Sequence, residues 1–221
     1  MLDKQGFDLW ADNYDETVQI SEENDLYPFA GYKEILNTIY NIVMEKEHSY
    51  VLDIGFGTGV LTTKLYEGGH QIDGIDFSSK MISMAKTKMP KANLMEWDIS
   101  KGIHPEISEN KYDFIVSTYT LHHLTDKAKI PFIQKLLSMM KQDGKILIGD
   151  VAFKTREMLN ICKQDNLERW DSDEFYFVYE EVKRALRDVC QCEFYKVSHC
   201  GGVLVITEKY TDNETNRIEQ F

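Results

Sequence analysis

The sequence predicts an α/β fold, a mostly parallel sheet with helices on both faces. Three observations carry the prediction. Short apolar runs alternate with stretches of helical period along most of the 221 residues, as in strands joined by right-handed crossover helices. Residues 51–59, V-L-D-I-G-F-G-T-G, pass from a buried-strand composition into three alternating glycines. Residues 71–77, Q-I-D-G-I-D-F, form a second apolar run in which Asp76 follows the last of those glycines by seventeen positions.

The elements follow in order. Phe29, Tyr32, Ile35, Leu36, Ile39, Ile42 and Val43 recur at helical spacing over 28–46. Val51, Leu52 and Ile54 suit a strand buried on both faces, and Leu61 and Leu65 continue as the inner face of a helix beyond the glycines. After the strand at 71–77, residues 79–89 read as a helix with Met81, Ala85 and Met89 on one stripe and Ser78 as its N-cap. Residues 93–99, N-L-M-E-W-D-I, and 112–119 give the third and fourth strands. A helix at 125–141, opened by Thr125 or Asp126, carries Ile130, Ile133, Leu137 and Met140 inward, with Pro131 set to kink it or shift its start. Gly144 leads into a fifth strand at 145–152. Residues 153–181 show no simple strand but are rich in aromatics, and their last part enters a helix reaching about Val189. Two strands, 192–198 and 202–209, are expected to join at a Gly201-Gly202 turn. One domain over 1–210 and a polar, disordered tail at 211–221 complete the expected organisation.

The glycine spacing bears on the ligand. A dinucleotide fingerprint needs G-x-G-x-x-G, yet Val60 stands where its third glycine belongs. The pattern is G-x-G-x-G with Asp53 two residues ahead, an acid that would repel a pyrophosphate and attract an ammonium. Asp76, at a strand tip, suits both ribose hydroxyls, Phe77 beside it an adenine face, and Asp98 the adenine amine. Each acid also suits an ordinary strand-end position, Asp98 most of all.

These motifs resemble those of the class I S-adenosylmethionine-dependent methyltransferases: V-L-D-I-G-F-G-T-G at 51–59, I-D-G-I-D at 72–76, W-D at 97–98, Y-D-F-I-V-S-T-Y-T-L-H-H-L at 112–124 and M-K-Q-D-G-K-I-L-I at 140–148. With the N-terminal F-D-L-W-A-D-N-Y-D at 7–15 and the following Glu16 to Gln19, the chain looks closest to the YrrT-like methyltransferases of firmicutes. The resemblance implies a Rossmann-like seven-stranded sheet in the order 3-2-1-4-5-7-6, strand seven antiparallel. It implies S-adenosyl-L-methionine as cofactor, held by Tyr14, Asp53, Gly55, Phe56, Gly57, Thr58, Gly59, Asp76, Phe77, Ser78, Met81, Trp97, Asp98, Ile99 and Ser117. The sulfonium would face the end of strand four at 117–119. Segments 1–30 and 153–181 are expected to roof the substrate side, with Tyr14, and less clearly Trp10, covering the cofactor.

Methyl transfer by in-line attack needs alignment and dryness more than a base. His122 and His123 are weak base candidates, as is Tyr14; the sequence shows no carboxylate to orient either imidazole, and L-H-H-L equally suits a loop entering a helix.

Charge and composition narrow the substrate. Eight acids against one lysine in 1–30, and eight against four bases in 153–181, give local charges of −7 and −4 within a total of −12. An acidic entrance would disfavour phosphate-rich ligands and accept a neutral or cationic small molecule, although a merely solvated surface explains the same charge. Without a basic track, an N-P-P-Y motif or a prolyl-cysteine pair, nucleic acid is a disfavoured acceptor, a small tRNA site being the residual case. No apolar run approaches the ~20 residues of a membrane span, and a cytoplasmic location is the default expectation. Cys162, Cys190, Cys192 and Cys200 lack C-x-x-C spacing, so reduced structural thiols and no metal are expected. The main functional alternative is a cofactor-binding protein without turnover, and a dehydrogenase is more distant. Acceptor identity and oligomeric state are not encoded in any of these patterns.

Overall fold

The structure is a computed structural model and describes residues 26–209. In chain order its principal elements are α1 (Tyr32–Met44), β1 (Tyr50–Ile54), α2 (Val60–Glu67), β2 (Gln71–Asp76), α3 (Ser79–Lys88), β3 (Asn93–Glu96), β4 (Tyr112–Thr118), α4 (Asp126–Leu137), β5 (Met140–Phe153), α5 (Arg156–Asp165), β6 (Phe177–Val178), α6 (Tyr179–Leu186), β7 (Cys190–Lys196) and β8 (Gly201–Glu208).

The sheet runs β3-β2-β1-β4-β5-β8-β7, with the two-residue β6 pairing off this path to β5. Pairs among β1 to β5 are parallel, and β8 lies antiparallel to both β5 and β7. With β6 set aside, this is the order 3-2-1-4-5-7-6 with the last strand of the chain antiparallel; the extra short strand is the difference.

Alternation along the strands explains why both faces are covered. Val51, Phe114, Val116, Leu147 and Val151 join one core with Ile35, Leu36 and Ile39 of α1, Leu61 and Leu65 of α2, and Ile82 and Ala85 of α3. Leu52, Ile54, Ile115, Ile146 and Ile148 join the other with Phe132, Ile133 and Leu136 of α4 and Val182 and Leu186 of α6. Successive strand residues point to opposite faces, so near-continuous apolar runs are what a doubly covered parallel sheet requires. Gly149 brings α1 close, since a Cβ there would sit 2.4 Å from Ile35 Cγ2.

Several expectations need correction. Residues 156–165 form helix α5 within the stretch read as irregular; only Leu159 and Cys162 of this helix are buried, too thin a stripe to stand out. The last hairpin turns at 197–200, and Gly201 and Gly202 open β8 instead of making the turn. Their smallness serves packing, because a Cβ on Gly202 would lie 2.5 Å from the Phe194 ring. Strand β5 begins at Met140 and contains Gly144, while β3 stops at Glu96. Pro131 sits inside α4, whose N-cap is Thr125, its hydroxyl accepting from Ala128 N. Tyr14, Trp10 and the rest of the N-terminal segment through residue 25, like the tail from 210, lie outside the described residues.

Candidate active site

The sheet changes winding direction at β1, which pairs with β2 on one side and β4 on the other. Ligands of open parallel sheets bind beyond the carboxyl ends of the strands at such a point. A cleft lies there, lined by Asp53, the loop 55–58, Val60 and Leu61, with Tyr32 and Leu36 of α1 and Thr118 of β4 closing its other wall.

The loop depends on its glycines. Gly55, Gly57 and Gly59 have φ of 74°, 56° and 80°, the left-handed region that residues with a Cβ enter only at a cost. At Gly55 space is also decisive, since a Cβ would fall 2.0 Å from Thr120 Oγ1. Gly57 differs: the nearest atom to its Cβ position is Met81 Sδ at 4.0 Å. Gly59 serves as N-cap of α2.

Asp76 organises the loop as well as ending β2. One carboxylate oxygen accepts from Gly57 N at 2.8 Å and the other from Ser78 N at 2.9 Å. Ser78 in turn caps α3, its hydroxyl accepting from Met81 N at 3.2 Å. Phe77 is half-buried. Phe56 packs under the loop against Gly74, and Thr58 is buried with its carbonyl accepting from Lys88 Nζ at 3.0 Å.

Asp53 is the electrostatic oddity. It is 1% exposed, its Oδ2 accepts from Thr62 Oγ1 at 2.7 Å, and its Oδ1 has no hydrogen-bond partner among the described residues. Burial lifts its carboxyl to about 7; the Thr62 hydroxyl opposes the rise and the nearby Asp76 charge adds to it. A buried carboxylate with one unsatisfied oxygen on a cleft wall is a receptor for a cationic donor.

The remaining sequence candidates are distributed around this centre. Trp97 donates its backbone N–H to Asp76 O at 2.7 Å and its indole N–H to Gly102 O at 2.8 Å. Asp98 caps the short turn Ile99–Lys101, accepting from Ser100 N at 2.9 Å. Ile99 is half-buried beside it. Ser117 is buried and donates its hydroxyl to Ile54 O at 2.9 Å, tying β4 to β1, so Thr118 is the β4 residue on the cleft wall. Tyr119 follows in the left-handed region at φ 48°, its ring 5.3 Å from that of Tyr32 and 5.2 Å from that of Phe29.

His122 and His123 occupy the turn Leu121–His123 just beyond β4. The carboxylates that the sequence did not identify are present: His122 Nδ1 lies 2.6 Å from Asp150 Oδ1 of β5, and its Nε2 lies 3.5 Å from Glu174 Oε1. Burial alone would lower the His122 pKa, but the charge and hydrogen bond of Asp150, joined by Glu174, raise it to about 10. His123 moves the other way, to about 4, through burial and the neighbouring imidazolium. The chain brings these groups together only by pairing β4 with β5 and folding segment 166–176 back across their ends, so no local pattern signals Asp150 or Glu174. Tyr32 and Leu36, read only as helical spacing, were equally missed as cleft residues, and Thr62 carried no reading at all.

Comparison with known proteins agrees with this architecture. Residues 51–144 match the methyltransferase domain family. An uncharacterized methyltransferase of Anoxybacillus flavithermus is 39% identical over 151 residues, covering 68% of each chain. Another from Geobacillus sp. is 38% identical over 164 residues, covering 74% of each, and one from Alkaliphilus oremlandii is 33% identical over 180 residues, covering 81% of this chain and 79% of the relative. Among solved structures, the DhpI-SAH complex superimposes with a TM-score of 0.68 at 16% identity, covering 93% and 94% of the two chains. The magnesium protoporphyrin IX methyltransferase ChlM of Synechocystis, with bound SAH, gives 0.64 at 17% identity, covering 82% and 85%. At such identities the structural likeness establishes the Rossmann-like fold, while the sequence relatives establish the family. The chain belongs to the class I S-adenosylmethionine-dependent methyltransferases.

Proposed function

We propose that this protein transfers a methyl group from S-adenosylmethionine to a small-molecule nucleophile. The observation that carries the cofactor's placement is the unsatisfied, buried Oδ1 of Asp53 on the cleft wall. The amino acid portion of the cofactor supplies an ammonium for that oxygen. In this reading Gly57 leaves the backbone open to the ligand, and Asp76 accepts ribose hydroxyls at the tip of β2 as well as fixing the loop. Phe77, Met81, Trp97, Asp98 and Ile99 then bound the adenine side, and Thr118 and Tyr119 lie toward the reacting carbon.

When bound, the cofactor supplies an electrophilic methyl on a sulfonium. The chain's own part is to align the acceptor and exclude water. His122 is oriented by two carboxylates, Asp150 at Nδ1 and Glu174 near Nε2, which fixes its ring beside the cleft rather than marking it as the base. The name of the neighbour ChlM, magnesium protoporphyrin IX methyltransferase, points to a small acceptor, which supports the same class here. Segment 153–181 is less acidic toward solvent than its sequence suggests: Glu181 pairs with Arg156 at 2.6 Å and Glu174 turns inward to His122. A neutral acceptor therefore suits this segment at least as well as a cationic one.

Incubation with methyl-labelled S-adenosylmethionine and fractionated cell extract tests the proposal. Label should enter a low-mass metabolite fraction and disappear with Asp53→Asn. Label in tRNA or protein, or tight cofactor binding with no labelled product, would contradict it.

A further inference from the structure

His122, His123 and Glu174 each offer one ligand atom, and the three atoms lie within 4.8 Å of one another. The two contacts to Glu174 Oε1 are 3.5 Å from His122 Nε2 and 3.9 Å from His123 Nδ1. Ligands of one divalent cation, each about 2.1 Å from it, stand about 3 to 3.4 Å apart, so side-chain shifts of roughly an ångström convert this cluster into a coordination set.

The surroundings are arranged as an outer layer of hydrogen bonds. Asp150, fully buried, holds His122 Nδ1 at 2.6 Å, which directs Nε2 toward the cluster. Asp150 is itself fixed by Val151 N at 2.7 Å. Tyr176 donates its hydroxyl to Glu174 Oε2 at 2.6 Å, leaving Oε1 toward the imidazoles. The backbone on either side of Glu174 is pinned as well: Phe175 N donates to His122 O at 2.8 Å, and the buried Lys129 donates to Phe175 O. A carboxylate behind a ligating histidine, and a donor behind a ligating carboxylate, are the usual supports of metal ligands. The His123 and Glu174 side chains are 23% and 20% exposed, so the cluster opens on one side.

We propose that His122 Nε2, His123 Nδ1 and Glu174 Oε1 bind one divalent transition cation of the zinc or cobalt class, the cation displacing the proton of His122 Nε2 to solvent. Two imidazoles and a carboxylate suit such ions and leave at least one coordination position vacant. The turn that carries both histidines also touches the cofactor loop, Thr120 donating its hydroxyl to Gly55 O at 3.3 Å. The vacant position therefore belongs to the acceptor side, where an oxygen, nitrogen or sulfur nucleophile would bind. That last role rests on the proposed methyl transfer, whereas cation binding does not.

The test is titration of chelator-treated full-length protein with Co²⁺, followed by calorimetry and by visible d–d absorption. One equivalent should bind saturably, with affinity reduced about tenfold or more by His123→Ala and by Glu174→Gln, and by Asp150→Asn within the range of outer-layer substitutions. His48→Asn, at an exposed histidine elsewhere, should leave binding unchanged. Circular dichroism identifies any variant that fails to fold, and the partly exposed His123 makes His123→Ala the decisive one. Absence of a saturable equivalent in the wild type, or equal binding by folded His123→Ala and Glu174→Gln, overturns the proposal. S-adenosylmethionine binding measured on the same cation-free samples separates its failure from failure of the methyltransferase reading.

Discussion

At the scale of single residues the cleft is a compromise between stability and ligand binding, and Asp53 shows it most clearly. Its carboxyl is raised to about 7 by burial. A raised acid binds more protons in the folded than in the unfolded state, so its contribution to stability is present at low pH and is lost as pH rises from the ordinary carboxylate range through about 7. Asp53→Asn is therefore expected to be more stable than wild type at pH 8, by about 1–2 kcal/mol, with the gap closing toward pH 5. Urea denaturation of both proteins at the two pH values checks it; a gap that widens toward pH 5 contradicts it. The glycines separate fold from function in another way. Gly57→Ala should fold, at a cost of about 1–2 kcal/mol for its left-handed backbone, and bind cofactor more weakly. Gly55→Ala must displace Thr120 and should lose far more stability. Thermal melts and cofactor titrations of the pair distinguish the two outcomes.

At the scale of elements, legibility followed burial. Strands β1 and β2 were readable because apolar runs ending in Gly55 or Asp76 leave few alternatives, β4 from its apolar Phe114, Ile115 and Val116, and α3 from Ser78 and its Met81, Ala85 stripe. Helix α5 was hidden because most of its residues face water, and Gly201-Gly202 misled because close packing against Phe194 selects the same residue type as a turn. The opposite end of the sheet carries an ion cluster that the sequence also concealed. Asp113 accepts from Tyr50 N at 2.8 Å, Lys141 at 2.7 Å and Lys46 at 2.5 Å, linking β1, β4 and the start of β5. Burial would raise this acid, but the two lysines and the Tyr50 amide lower it to about 2. Its stabilisation is complete above the usual carboxylate range and is lost as pH falls toward 2. Asp113→Ala should cost about 2–3 kcal/mol in urea denaturation at pH 7, since charged hydrogen bonds are lost and a strand amide is left without its acceptor. Cofactor affinity of the folded fraction should not change, because this cluster sits at the far ends of the strands from the cleft.

At the scale of the whole molecule, the fold and the cleft at the glycine loop were legible for one reason: both are written in short, contiguous stretches where buried strand, glycine loop and strand-tip acid adjoin. The histidine–carboxylate cluster beyond β4 is assembled from distant segments. His122, Asp150 and Glu174 meet only after β4, β5 and the connection to β6 are in place, so spacing carried no sign of them. Among the described residues no helix is long and apolar enough to cross a membrane. The net charge of −12 predicts self-repulsion that salt relieves: the melting temperature should rise between roughly 20 and 200 mM sodium chloride, and a fall would mean that attractive ion pairs outweigh the excess acid. In the proposed function Asp53 receives the ammonium of S-adenosylmethionine. Calorimetric titration of wild type and Asp53→Asn with S-adenosylhomocysteine and with 5′-methylthioadenosine, which lacks the amino acid portion, tests it directly. The substitution should weaken S-adenosylhomocysteine by about tenfold or more and leave methylthioadenosine nearly unchanged; equal weakening of both ligands, or of neither, would contradict the account.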